Sequence, residues 1–299
     1  MCTPPGPDGS LSPVILAAAD LAGVDVIYKA GGAQAIAAMA FGTATIPRVD
    51  KICGPGNIYV NTAKRLVFGI CDIDLFAGPS EILILADETA NPVFLAADML
   101  SQAEHDRLAS AVLLTPDAKL AGRVIAELER QSEQAVRRDI VEASLRDYAA
   151  VIRTADLDQA VEIANALAPE HLELCVAEER CDALLEQIEH AGAIFVGQYS
   201  PEPLGDYLAG PNHVLPTSGT ARFFSPLNTG DFLKKMSVIR YDERALLAVG
   251  KPVMQLAEAE SLGCHVRAIA VRLADAGPGG VPDRETGPRR WTTDRKSVV

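Results

Sequence analysis

Two polar residues near the end of a predicted helix have the spacing of metal ligands. Gln102 and His105 lie three positions apart in S-Q-A-E-H, so on a helix they share one face. An amide oxygen and an imidazole side by side can form half of a metal site. Such a pair is more often a solvated helix face, so these two residues do not define a site by themselves.

A carboxylate next to an imidazole is a second candidate for chemistry. Glu170 and His171 follow the end of a predicted helix and could supply a base and a group that activates water. The alternative is an exposed, inert Glu-His pair in a loop. Asp206 and His213 lie in the Pro-, Gly- and Asn-rich stretch 199–226, whose length without periodicity favours a functional loop.

A third pair, Glu260 and His265, is five positions apart and therefore only loosely on one side of a helix. Four of the residues from these groups could together give one metal a shell of nitrogen and oxygen ligands suited to zinc, with positions left for a substrate: Gln102, His105, Asp206 and His265. Their spacing permits this assembly without proving it.

Two glycine turns could approach a phosphate. Gly31-Gly32-Ala33-Gln34 and Gly54-Pro55-Gly56-Asn57 each follow a predicted strand and open a helix, where backbone N–H groups can bind an anion. Neither turn is a G-x-G-x-x-G, and a plain tight turn is the alternative. Ligands of open α/β sheets bind outside the carboxyl ends of the strands, which is where both turns are predicted to lie.

Composition excludes several classes of partner. The 299 residues are 48% hydrophobic and 22% charged, which is typical of a globular protein with a sizeable core. With 27 Lys and Arg against 40 Asp and Glu, the formal charge of -13 argues against nucleic acid and against anionic membranes as partners. The six cysteines form no C-x-x-C pair, which favours a reduced, cytoplasmic setting.

These candidate residues must be positioned by an alternating series of strands and helices. The apolar run 81–87, bounded by acids, predicts a buried strand, and Asn91 with Pro92 begins the helix that ends in Gln102 and His105. Strands are also predicted at 24–30, 49–53, 111–114, 151–153, 171–176 and 193–197, and helices at 13–22, 33–41, 57–68, 117–134, 137–148, 156–167, 179–190 and within 230–273.

This order predicts the α/β class, with two Rossmann-like domains built on parallel sheets and a small C-terminal helical segment. We place a Rossmann-like, NAD-contacting domain at 1–77 and a second Rossmann-like domain, carrying the catalytic and zinc-binding residues, at 78–222. A helical dimerisation segment follows at 223–274. Residues 275–299 read as a disordered or artefactual tail.

Ordered motifs along the chain resemble those of the histidinol dehydrogenase family. The matching motifs are G-G-A-Q-A-I-A-A, V-D-K-I-C-G-P-G-N-I-Y-V, D-L-F-A-G-P-S-E-I-L-I-L-A-D, S-Q-A-E-H-D, A-P-E-H-L-E-L, G-D-Y-L-A-G-P-N-H-V-L-P-T and E-S-L-G-C-H. The resemblance implies oxidation of L-histidinol to L-histidine through the aldehyde, with two NAD+ and a bound zinc. It also implies a homodimer whose sites are shared between chains, and it leaves 275–299 without a counterpart.

The resemblance carries roles to individual positions. It implies that Glu170 and His171 perform acid/base chemistry and that Gln34 and Asn57 contact NAD. It implies zinc ligands at Gln102, His105, Asp206 and His265, and substrate contacts at these four ligands and at Ser80, His171, His213 and Glu260.

The sequence departs from the family in three places. Arg107 and Pro211 stand where the family commonly has Pro and Thr, and the family begins well upstream of Met1. The resemblance therefore implies an N-terminally truncated fragment that lacks part of one Rossmann-like domain and a further NAD contact.

Three other functions fit the same residues. A zinc hydrolase could use Glu170 to activate water and would turn over without NAD. A ligand-binding protein that has lost catalysis is a second alternative. A dehydrogenase acting on another amino alcohol or a diol is a third, and the predicted contacts at Ser80, His213 and Glu260 favour histidinol.

Overall fold

The computed structural model describes residues 1–76 and 78–275. The chain divides into two compact units, one from Met1 to Leu233 and one from Lys234 onward. Apart from Asp275, the predicted tail 275–299 lies outside the described residues. No helix within the described ranges is long and apolar enough to cross a membrane.

The first sheet is small. Strand β1 (Lys51–Ile52) pairs in parallel with β2 (Asp72–Ile73), and the surrounding helices are α1 (Pro13–Leu21), α2 (Gly32–Phe41) and α3 (Ile58–Val67). The strand predicted at 24–30 is reduced to one bridge, between Cys2 and Tyr28. A strand needs a partner strand along its length, and within the described residues this stretch pairs through the bridge to Cys2.

The second sheet has five parallel strands: β3 (Glu81–Ala86), β4 (Ser110–Thr115), β5 (Ala149–Arg153), β6 (His171–Cys175) and β7 (Ala193–Val196). Their order across the sheet is β5-β4-β3-β6-β7. The connecting helices are α4 (Pro92–Ala103), α5 (Ala118–Ser132), α6 (Arg138–Tyr148), α7 (Leu157–Leu167) and α8 (Glu178–Leu185). The predicted α/β class with parallel sheets is confirmed.

Both faces of this sheet are covered. Alternate residues of β3 point to opposite sides, so Ile82 and Ile84 pack against α4 and α5 while Leu83 and Leu85 pack against α7 and α8. All five residues of β6 are buried, although its sequence reads as polar-apolar alternation. Its polar residues, His171 and Glu173, therefore face a protein interior.

Helix α4 carries Gln102 back across the sheet. The side chain of Asn91 accepts a hydrogen bond from Val93 N at 3.0 Å, and Pro92 occupies the first turn, as the sequence predicts. In a parallel sheet the crossover helix runs opposite to the strands, so α4 ends beside the strand beginnings. Gln102 is buried there in the last turn.

The stretch 199–226 is not wholly irregular. It contains the short helix α9 (Glu202–Tyr207) and a 3-10 turn at Thr220–Arg222. The second unit contains α10 (Glu243–Ala259) and α11 (Gly263–Asp275), so regular α-helix begins later than the predicted Gly230.

Candidate active site

The polar residues meet at the amino edge of the second sheet. β3 begins at Glu81 and β6 at His171, and Ile82 is the direct neighbour of His171 across the two strands. At the opposite edge, the buried carboxylate of Asp87 accepts from Arg180 Nη1 at 2.8 Å. That ion pair lies where β3 and β6 end, at the crevice between strands that usually binds ligands.

The surroundings of His171 define which ring nitrogen carries hydrogen. Nδ1 lies 3.0 Å from the carbonyl oxygen of Glu81 and 3.2 Å from Oε1 of Gln102. Carbonyl oxygens only accept hydrogen bonds, so we assign the hydrogen to Nδ1 and a free lone pair to Nε2. Nε2 is buried and has no hydrogen-bond partner among the described residues. Burial lowers the pKa of His171 to about 3, with His213 and His105 contributing, so the ring is a neutral base.

Glu170 is held beside this ring as a buried acid. Its Oε2 accepts a hydrogen bond from Glu81 N at 3.0 Å and lies 3.8 Å from His171 Nδ1. Burial raises the pKa of Glu170 to about 8, and the charges of Glu81, Glu202 and Asp206 add to the rise. A carboxyl with a pKa near the working pH is suited to proton transfer.

Glu81 joins these groups, and sequence reasoning gave it no role. Its backbone N–H holds Glu170, its carbonyl holds His171, and its side-chain Oε1 accepts from Ser218 N at 3.0 Å. The signal in the sequence was an acid at the start of a buried strand, next to Ser80. Ser80 is half-buried, and its carbonyl accepts from Ser110 N at 3.0 Å.

Four possible metal ligands, one of them His171, lie close together. One side-chain nitrogen or oxygen from each of His171, Glu202, Asp206 and His213 lies within 4.8 Å of the others. His213 forms an ion pair with Asp206, and its ring stacks on that of His171 at 5.4 Å between centroids. Sequence reasoning missed Glu202, although its spacing of four from Asp206 would have indicated one helix face.

Helix α9 is fixed to the sheet by Glu173. Its Oε1 accepts from Glu202 N at 2.9 Å, and burial raises the pKa of Glu173 to about 9, so this carboxyl is neutral at physiological pH. Gly205 allows the close approach, because a Cβ there would lie 2.7 Å from the ring of Phe195. Glu202 and Asp206 are thereby carried to His171.

The predicted zinc ligands are distributed over both units. Gln102 contacts His171 through its Oε1. Asp206 lines a cleft of about 380 Å³ together with His105, which is exposed in the turn after α4. His265 lies on α11 of the second unit and Glu260 at the end of α10, and both are exposed there. Histidine and carboxylate donors on one cleft are ligands that zinc accepts.

The predicted NAD contacts lie at the turns of the first sheet. Gln34 is exposed in the first turn of α2, and Asn57 caps α3 by accepting from Tyr59 N at 3.1 Å and Val60 N at 3.2 Å. Because Oδ1 of Asn57 is committed to the helix, a ligand would meet its amide NH2 group.

Comparisons with known proteins identify the relatives of this chain. A family model described as histidinol dehydrogenase matches residues 1–273. Histidinol dehydrogenase of Clostridium acetobutylicum is 57% identical over 273 residues, covering 91% of this chain and 63% of that protein. That of Bacillus subtilis is 57% identical over 272 residues, with the same coverage of 91% and 63%.

A crystal structure of histidinol dehydrogenase from Elizabethkingia anophelis has the same fold, with a TM-score of 0.84 and 41% sequence identity. The match covers 92% of this chain and 63% of that chain. The chain thus spans somewhat less than two thirds of the length of these relatives. The family model matches residues 1–273 of the 299, and the chain belongs to the histidinol dehydrogenase family.

Proposed function

We propose that this chain carries the catalytic centre of a zinc-dependent enzyme that oxidises L-histidinol to L-histidine through L-histidinal, using two NAD+. The observation that carries the proposal is the buried, neutral His171, whose free Nε2 points into a cluster of potential metal ligands. Because the chain belongs to the histidinol dehydrogenase family, we infer L-histidinol as the substrate. Glu170, held on the same backbone residue as His171, supplies the second proton-transfer group.

The proton transfers follow from these contacts. In the first oxidation, His171 Nε2 takes the hydroxyl proton of the alcohol, while Nδ1–H stays bonded to the carbonyl of Glu81. In the second stage, Glu170 in its ionised form takes a proton from the water that adds to the aldehyde. His171 releases its first proton to solvent and then takes the hydroxyl proton of the hydrate as the acid forms. Bound NAD+ supplies the hydride acceptor for both oxidations, and bound zinc supplies a Lewis acid that orients the substrate.

We propose Gln102, His105, Asp206 and His265 as the zinc ligands. The cleft shared by His105 and Asp206 supports two of them, and the buried Gln102, whose Oε1 contacts His171, supports a third. Ser80, His213 and Glu260 are proposed substrate contacts, and Gln34 and Asn57 proposed NAD contacts.

The organisation of the chain is part of the same proposal. Residues 1–77 would bind NAD, 78–222 would carry the chemistry, and 223–274 would form the dimerisation segment that brings Glu260 and His265 to the site of a second chain. The exposure of both residues in the second unit is consistent with that use. A cytoplasmic location is supported by the six free cysteines.

The test is metal analysis paired with NADH absorbance after L-histidinol is added to the zinc-loaded protein and NAD+. We expect one zinc per chain and two NADH per histidine formed. Release of a product without NADH formation would favour the zinc hydrolase. Zinc and histidinol binding without any product would favour a binding protein, and either result would refute the proposed oxidation.

A further inference from the structure

A buried ion pair lies beneath the second glycine turn of the first sheet. Lys64 Nζ on α3 lies 2.6 Å from Asp74 Oδ1, which follows β2, and the two side chains are 1% and 0% exposed. The reaction proposed above uses neither group. Burying two charges is costly, and a pair of apolar side chains would join α3 to the sheet at least as well. We therefore expect the pair to have a role that apolar side chains could not perform.

Two further hydrogen bonds join the pair to Gly54, and a third comes from Leu75 N, which donates to Asp74 Oδ1 at 2.7 Å. Lys64 Nζ donates to the carbonyl of Gly54 at 2.5 Å, and Gly54 N donates to Asp74 Oδ2 at 2.7 Å. Both backbone polar groups of one residue thus end on one ion pair. Gly54 has a φ of +127°, a conformation that L residues rarely adopt. The pair holds this glycine in its unusual conformation from both sides.

The rest of the turn is tied to the same helix. Asn61 Nδ2 donates to the carbonyl of Gly56 at 2.9 Å, and a Cβ on Gly56 would lie 2.3 Å from Val60 Cγ1. Asn61 and Lys64, three apart on the buried face of α3, thus each bind a carbonyl of the turn. The turn 54–57 is fixed by side chains from the helix that it begins.

We propose that Lys64 and Asp74 are positioning residues for the cofactor. By fixing Gly54, they hold the turn 54–57 in the conformation that presents Asn57 to NAD+, so a ligand meets an ordered turn and loses less entropy on binding. This inference rests on the proposed function for the identity of the ligand. The ordering of the turn itself does not depend on it.

The test compares Lys64→Met with the double variant Lys64→Met, Asp74→Asn. The single variant leaves a buried carboxylate unpaired and should lower the melting temperature. The double variant removes both charges and should recover much of that loss, yet neither new side chain has the ammonium that held the Gly54 carbonyl. The control is Lys51→Met, because the side chains of the Lys51–Asp72 ion pair are 18% and 54% exposed, against 1% and 0% for Lys64 and Asp74.

Two readouts separate positioning from stability. In the double variant we expect amide hydrogen exchange over 54–57 to be about tenfold faster, and the Kd for NAD+ to rise about tenfold, at a melting temperature near that of the wild type. The control should change neither quantity. Calorimetric titration with NAD+ gives the Kd, and exchange is measured without cofactor.

Each result decides one part of the inference. Exchange at the wild-type rate in a folded double variant would overturn the claim that the pair orders the turn. Faster exchange with unchanged NAD+ affinity would overturn the cofactor role. If the unaltered chain bound no NAD+, the cofactor assignment of the proposed function would fail, and the exchange rates alone would still decide whether the pair fixes the turn.

Discussion

Replacing Glu170 by Gln should make the fold less sensitive to alkaline pH. The amide keeps an oxygen that can accept from Glu81 N but cannot ionise. Burial raises the pKa of Glu170 from 4.5 to about 8, and one pKa unit corresponds to about 1.4 kcal/mol. Because the folded pKa is the higher one, the stability that the protonated carboxyl contributes is complete below pH 4.5 and is lost as the pH rises through about 8.

The expected size of the effect follows from that range. The free energy of unfolding of the wild type should fall relative to that of Glu170→Gln by roughly 4 kcal/mol between about pH 5 and about pH 9. A typical domain has only about 5–15 kcal/mol of net stability, so such a change is easily measured. Urea denaturation followed by circular dichroism at both pH values gives the two free energies.

The matched control is Glu189→Gln, because the side chain of Glu189 is 75% exposed. The difference in the free energy of unfolding between Glu189→Gln and the wild type should stay constant across the same pH range. A Glu170→Gln difference that also stays constant, or that shrinks with rising pH, would refute the buried, protonated state inferred for Glu170.

The same substitution addresses the chemistry. A Glu170 with a pKa of about 8 becomes a base as the pH rises through that value, so wild-type oxidation of the aldehyde should accelerate there. Glu170→Gln should slow that step roughly 100-fold or more and leave NADH formation from the alcohol largely intact. Stopped-flow absorbance with histidinol and with histidinal separates the two steps. Equal loss in both would contradict the assignment of Glu170 to the water.

Three further predictions concern the same half of the molecule. Gln102→Ala should lower bound zinc to well below one per chain by elemental analysis, and unchanged zinc would remove Gln102 from the ligand set. Glu81→Ala should lower kcat about tenfold, because it removes the acceptor for Ser218 N. Glu81→Gln keeps an acceptor and should retain most of the wild-type kcat; an equal loss of kcat in both variants would reject the role of the Ser218 contact. Ile84→Ala, at a fully buried position, should lower the free energy of unfolding by about 2–5 kcal/mol, measured by urea denaturation. Ile152→Val, at a position that is 39% exposed, should lower it by less than about 1 kcal/mol.

Local sequence predicted local structure well where a cap or a long apolar run was present. Asn91, Asp117 and Asp156 stand at the predicted starts of three helices, and the side chain of each accepts a hydrogen bond from the first turn. The strand predicted at 24–30 was wrong, because strand pairing depends on a partner elsewhere in the chain. The stretch 199–226 was predicted as a loop, and α9 is short enough that its own periodicity is weak.

The candidate site was predicted in part. Glu170, His171, Asp206 and Gln102 were singled out from the sequence, and the structure places them around one point. Glu81 and Glu202 were not, because each is an ordinary acid in its own segment. Glu81 acts largely through backbone groups, which no residue type reveals.

The sequence by itself determined the α/β class, the strand and helix order, and the family, since these depend on short-range patterns and ordered motifs. The tertiary structure decided which edge of the sheet holds the chemistry and which nitrogen of His171 is free. Both depend on strand register and on the return path of α4, which bring His171 to a carbonyl 90 positions earlier in the chain. Contacts at that separation arise from the packing of whole elements, and no local pattern encodes them.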